Sequence, residues 1–180
     1  MAKHGVLFEK DNFIPSLTMN RGAISTTDLD GGAIVVVGAS STTEKELYRV
    51  SAPASSTVKQ VAIAYNPSVK YDVIGGQLYP AKSLDDRNYY NIAGRALDVF
   101  YPIPNIEFGI TMANIEGTTA PTVGKFLEPT VGKNTYTIHN SQTANVPSFE
   151  VVAIENAIYP TGDFSSDTEP VYIVKTRFNG

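Results

Sequence analysis

The sequence predicts an all-β fold: a single compact β-barrel or β-sandwich domain of roughly nine or ten short strands, with an extended N-terminal segment and one short helix. Three observations point there. Short runs rich in β-branched and aromatic residues recur along the chain, they alternate with period two, and Pro or Gly closes most of them. The clearest stretch runs from Gly94 to Pro129. Ala96, Asp98 and Phe100 alternate with Leu97, Val99 and Tyr101; Ile106, Phe108 and Ile110 share a face of the next run; Val123 and Leu127 are spaced for one face of a third, 122–128. Pro102, Pro104 and Gly117 stand where a hydrogen-bonded ladder cannot continue.

Composition agrees. Only 18% of residues are charged, while 14 Gly, 11 Pro and 10 Tyr suit a loop-rich β protein better than a helical one. A chain of 180 residues makes one domain that buries about 70% of its extended surface, so it needs neither metal nor disulfide to fold. A net charge of −4 argues against nucleic acid as a partner, because that binding relies on Lys and Arg neutralising phosphates. The absence of Cys excludes disulfides, thiolate nucleophiles and Cys-ligated zinc, and it fits synthesis in a reducing compartment. No apolar signal region follows Met1–His4, and the aliphatic run Ala33–Val37 is too short to cross a bilayer. The expectation is a soluble product of the cytoplasm with no membrane partner.

In chain order, residues 1–22 read as an extended segment or arm and 23–180 as the all-β domain. Val6, Leu7 and Phe8, then Phe13, Ile14, Leu17 and Met19, recur among Asn and Pro without a regular period. They fit a first strand and loop on the domain's own core, or an arm that docks on a neighbour. Asp28-Leu29-Asp30-Gly31-Gly32 is a turn, since its glycines supply positive φ. A calcium loop of the EF-hand type needs a Glu about eleven positions after the first Asp, and Ala39 stands there instead. Ala33–Val37, Leu47–Val50, Val58–Tyr65 and Val69–Ile74 read as strands. Ser83 to Gly94 reads as one or two helical turns at most, capped by Ser83 with Asp85 and Asp86 in a solvated first turn, or as a tyrosine-bearing loop. Thr135–His139, Phe149–Ile154 and Val171–Phe178 are the last strands, with a polar, acidic loop over 160–169. The tetrad Thr-Val-Gly-Lys, at Thr122 and again at Thr130, reads as strand-turn grammar.

No catalytic signature accompanies this pattern. The two His, His4 and His139, have no Gly-x-Ser-x-Gly elbow to serve, and no zinc, phosphate-loop or dinucleotide motif occurs. Asp85 and Asp86 are adjacent, so they point in different directions and make a poor acid–base pair. The expectation is therefore no enzyme activity, no catalytic residue, no cofactor and no metal. Tyrosine is the functional-looking excess, and Tyr89 and Tyr90 are the first candidates for an interface.

Three segments carry a resemblance: Ala64-Tyr-Asn-Pro67; Asp85-Asp-Arg-Asn-Tyr-Tyr-Asn-Ile-Ala-Gly-Arg95; and Phe108-Gly-Ile-Thr111 through Asn114-Ile-Glu-Gly117 to Pro121-Thr-Val-Gly-Lys-Phe126. Together, over residues 60–155, they resemble capsid decoration (head auxiliary) proteins of tailed bacteriophages. The resemblance implies a non-enzymatic virion protein on the outer surface of the capsid, assembled in the host bacterial cytoplasm. Its implied partners are the major capsid protein and neighbouring copies of itself, and its implied role is stabilising the phage head. Phe8, Phe13, Ile14 and Leu17 are then candidates for capsid contact beside Tyr89 and Tyr90. Two other readings fit the same residues: a different virion part, such as a head-fibre base, head–tail joining or tail protein, and a carbohydrate-binding β-module. The lack of Trp weighs against the last.

Overall fold

The computed structural model describes residues 3–10, 19–55, 57–74, 76–81, 83–160 and 166–180. These form an all-β domain. Its strands are β1 (Leu7–Glu9), β2 (Met19–Ser25), β3 (Ile34–Ser40), β4 (Tyr48–Ser51), β5 (Ala62–Ala64), β6 (Tyr71–Ile74), β7 (Gln77–Pro80), β8 (Ala96–Tyr101), β9 (Glu107–Thr111), β10 (Phe126–Pro129), β11 (Tyr136–His139), β12 (Ser148–Pro160) and β13 (Ser166–Phe178). They divide into a closed barrel, β2-β4-β3-β5-β8, an antiparallel six-stranded sheet, β1-β9-β13-β12-β10-β11, and the separate β6-β7 hairpin.

Side-chain size explains the division. Barrel diameter falls with strand number, so a five-stranded barrel leaves a narrow lumen. The residues that fill it are small: Ala23, Ala33, Val35, Val50, Ala62, Ala64, Leu97 and Val99 form one buried cluster. The intervening residues of β3, β5 and β8, Ile34, Ile63 and Phe100, lie on the outer wall and pair across it in register. That wall is not solvated. It packs on the inner face of the six-stranded sheet, where Leu7, Phe108, Ile110, Leu127, Tyr136, Phe149, Val151, Tyr172 and Val174 complete a second, larger core. Phe100, Phe108, Phe149 and Tyr136 run through it as successive edge-to-face contacts with centroids 5.6–5.9 Å apart. The Tyr136 hydroxyl donates to the Gly32 carbonyl at 3.0 Å, and burial pushes its phenol well above the ordinary range.

Close approach tightens the β1-β9-β13 side of the six-stranded sheet, and a side-chain bridge ties β1 to the chain leaving β5. Gly109 on β9 leaves room for the Phe8, Val171 and Ile173 side chains; an added Cβ would lie 2.6 Å from Val171 Cγ1. Asn66 does a strand's work with a side chain, accepting from Leu7 N and donating to Leu7 O, both at 2.8 Å. The Asn66-Pro67 turn thereby holds β1 in place.

The all-β expectation stands, with thirteen strands among the described residues where nine or ten were expected. Several boundaries differ, for identifiable reasons. The alternating run Val58–Tyr65 pairs only over Ala62–Ala64, and residues 61–64 are all buried because barrel lumen and sheet core lie on opposite faces of β5. The third run narrows to Phe126–Pro129, since Val123-Gly124 forms a turn with Gly124 at φ +86°. Gly132, in the second copy of the tetrad, has φ +76°, so both copies do end in turns. The acidic segment expected as a loop over 160–169 is strand from Ser166 onward, while 161–165 lie outside the described residues. The expected helix is a single 3-10 turn, Asp86–Asn88, and its cap is Asp85 rather than Ser83.

Candidate functional site

Of the candidate interface residues, the described ones, Phe8, Tyr89 and Tyr90, pack against side chains of this same chain. Phe8 is half-buried on β1, edge-on to Tyr159 with centroids 6.3 Å apart. Strand β1 pairs with β9, so residues 7–9 belong to the chain's own sheet. Phe13, Ile14 and Leu17 lie outside the described residues. The position between 22 and 23 falls inside β2, within the barrel. Tyr89 is only 2% exposed, and its hydroxyl meets Ser83 and Asp72, so the ring serves the interior of this chain. Tyr90 is half-buried and stacks on His4 at 4.5 Å.

The two His find structural partners. His4 Nδ1 lies 2.8 Å from Asp30, which also accepts the Gly5 amide, and His139 lies 3.7 Å from Glu128. The acidic turn is spoken for by protein donors: Asp30 as above, and Asp28 by the Ala93 amide at 2.8 Å. Among the described residues no group of three or more His, Asp or Glu is placed to hold a metal ion.

The most deeply buried charge among the described residues is one that the sequence pattern does not single out. Arg87, in the 3-10 turn, is 1% exposed. Its guanidinium donates to Asp85 through Nε and Nη2 at 2.7–3.2 Å, and through Nη1 to Asp167 at 2.9 Å and Glu169 at 3.2 Å. Its plane covers the Tyr159 ring at 3.9 Å. Lys3 adds a second cation on Asp167. The expected solvated helix start is thus corrected: Asp85 is buried and paired. Nothing in sequence spacing links Arg87 to carboxylates about eighty positions away. The pattern Asp-x-Arg at 85–87 was the sole local signal.

This network clamps the free end of the β12–β13 hairpin. Strand β13 pairs with β9 only over Val171–Lys175, and β12 pairs with β10 only over Phe149–Glu150. Beyond those ladders, Asn156–Pro160 and Ser166–Pro170 pair with each other, so the hairpin projects past the sheet. Its two faces differ. Tyr159, Asp167 and Glu169 turn toward Arg87 and the N-terminal segment. Ile154, Asn156, Ile158 and Pro160 of β12, with Ser166, Thr168 and Pro170 of β13, are exposed. Ile158 is 71% exposed and Ile154 45%. An apolar patch on a projecting, ionically braced hairpin is the best-defined candidate for a contact surface in the described residues.

The clamp should be acid-sensitive. Hydrogen bonds from Lys3 and then Arg87 hold the Asp167 carboxyl down at about 2, and those from Arg87 hold Asp85 below its ordinary range. Carboxylates depressed in the folded state contribute stability that is complete above their unfolded values, about 4, and is lost as pH falls through the folded ones. Urea midpoints should therefore stay level from pH 7 to about 5, then fall between about pH 4 and pH 2. The fall should be shallower in Arg87→Met; an equal fall in both proteins would exclude the clamp as its source.

No protein-family model matches this chain, and neither a curated protein nor a solved structure is significantly similar to it.

Proposed function

We propose that this chain is a non-enzymatic structural protein of a tailed-phage virion, which binds the outer surface of the major capsid protein shell and stabilises the head. The observation that carries the reading is the projecting β12–β13 hairpin, with Ile154 and Ile158 on an exposed face and an Arg87 clamp behind it. A braced hairpin loses little conformational entropy on docking, so burial of its apolar face contributes more of its free energy to binding. Pro160 and Pro170 lack amide donors, which disfavours strand addition along the edges and leaves the face as the docking element. The segment resemblance supplies the partner. Binding to the assembled shell in preference to its dispersed subunits stabilises that shell by mass action.

Co-sedimentation with purified capsids tests the reading. Ile158→Asp should reduce binding at least about tenfold, because burying a single Ile is worth about 1.5–3 kcal/mol and a buried charge costs more. Its thermal stability should move by no more than about 0.5 kcal/mol, the side chain being exposed. Binding at full strength by Ile154→Asp/Ile158→Asp would remove the hairpin from the account. Failure of the unaltered protein to sediment with capsids would overturn the shell assignment itself. Copy number separates the shell from other virion positions, since a head–tail joining or tail protein is present in far fewer copies.

A further inference from the structure

Elsewhere, a cleft of about 310 Å³ opens between residues 67–71, which lead into β6, and the segment joining the 3-10 turn to β8. Pro67, Val69, Ile92 and Ala96 give it apolar walls, and Tyr71, Tyr90, Asn91 and Arg95 supply rings and polar groups. We propose that this cleft binds a carboxylate-bearing sugar residue, with Arg95 on the carboxylate and the two tyrosines on the sugar ring.

Four features support that ligand class. Arg95 is exposed, lies over the Tyr71 ring at 5.6 Å, and makes no ion pair with a described residue. A guanidinium resting on an aromatic face presents its forked donors outward, and that fork matches a carboxylate. Several acidic groups in the neighbouring segments already have partners: Asp86 has Lys70, Asp85 has Arg87, Asp72 has the Tyr89 hydroxyl and Asp28 has the Ala93 amide.

The second feature is the pair of tyrosines. Both are half-buried and line the cleft, they come from different segments, and neither phenol bonds a described residue. A pyranose needs that mixture: C–H groups against a ring and hydroxyls against polar tips. An isolated acidic side chain would use Arg95 and leave the rest empty.

Third, the site is held in shape before any ligand arrives. Tyr90 is backed by His4, which Asp30 fixes. Asn91 exchanges both backbone hydrogen bonds with Leu29 and donates its side-chain amide to the Tyr65 carbonyl. Fourth, the volume lies at the small end of ligand clefts, about 300–1,000 Å³, which suits one sugar ring and excludes an extended polymer buried along its length. A phosphate ligand fits less well, for the cleft contains one cation and the chain is acidic overall.

The intact protein should be applied to an array bearing oligosaccharides that end in glucuronic acid or N-acetylneuraminic acid, beside their neutral counterparts. Retention of at least one acid-terminated glycan is expected, and reduction of its carboxylate to the alcohol should weaken binding at least about tenfold. Arg95→Ala should lose the same factor with an unchanged melting curve. Arg95→Lys, which keeps the charge without the fork, should recover only part of it. Tyr90→Phe, which removes a hydroxyl alone, should weaken binding without abolishing it. No retention of any acidic glycan, equal retention of the neutral ones, or indifference to Arg95→Ala would each overturn the proposal. So would equally tight, Arg95-dependent binding of a free acidic hexapeptide, which would make the cleft a peptide site. None of these results depends on capsid binding, so the two readings stand or fall separately.

Discussion

Phe108→Ala is expected to be among the most destabilising single substitutions in the chain. The side chain is fully buried on β9, between Phe100 of the barrel wall at 5.9 Å and Phe149 of β12 at 5.6 Å. It therefore joins the two halves of the fold, and nothing adjacent is free to move in: Phe100 and Phe149 are themselves locked in registered strands. Truncating such a ring costs about 3–5 kcal/mol through lost transfer free energy and the cavity left behind. The loss of two edge-to-face contacts places this site toward the upper end. For a domain of this size, about 4 kcal/mol corresponds to a fall in Tm of about 10 °C, readable by calorimetry. Phe108→Leu should recover more than half of the loss, since it refills most of the volume. A Tm within about 2 °C of the parent for Phe108→Ala would mean that barrel and sheet do not depend on each other through this contact.

The second large effect is at Arg87. Replacement by Ala leaves Asp85 buried without its partner and uncovers the Tyr159 ring. Breaking a buried pair by removing one member costs about 3–5 kcal/mol. A value near about 3 is expected here, because the Asp167 and Glu169 side chains keep 43% and 19% of their exposure and can rehydrate. Arg87→Lys should recover little, for an ammonium cannot reach three carboxylates with the geometry of a planar fork. Arg87→Met/Asp85→Asn should be more stable than Arg87→Met alone, because the orphaned charge is gone. Hydrogen exchange localises the effect: the amides of residues 156–159 should lose protection in Arg87→Ala, while those of the barrel strands keep theirs. Uniform loss of protection, or none, would show that Arg87 does not hold the hairpin.

The elements that were legible in the sequence share one property. In β8, β9 and the inner part of β13 the large side chains at alternate positions enter one core, Leu97 and Val99 the barrel lumen, Phe108 with Ile110 and Tyr172 with Val174 the sheet core, as the period-two reading places them. Strand β5 was misjudged in length because both of its faces are covered; a strand between two cores carries apolar residues throughout, and its ends are set by its partners. The loop expected over 160–169 covers the end of β12 and the outer part of β13, whose residues are polar and acidic. Their extended state comes from pairing with each other and from cations contributed by Lys3 and Arg87, and neither is visible locally. The same gap hid the candidate sites. Tyr90 was legible as a tyrosine beside Asn, but its convergence with Tyr71 and Arg95 needs the chain to return from β6 to the start of β8.

By itself, then, the sequence determined the fold class: alternation, turn residues and a shortage of charge leave few ways to bury this chain except as sheets. Tertiary structure alone decided that the sheets would be a narrow barrel set against a six-stranded sheet, and that Arg87 would lie at the base of a projecting hairpin. The physical reason is range. Periodicity records which side of its own strand a residue must hide, whereas barrel closure and an ion network depend on groups about eighty positions apart meeting in space.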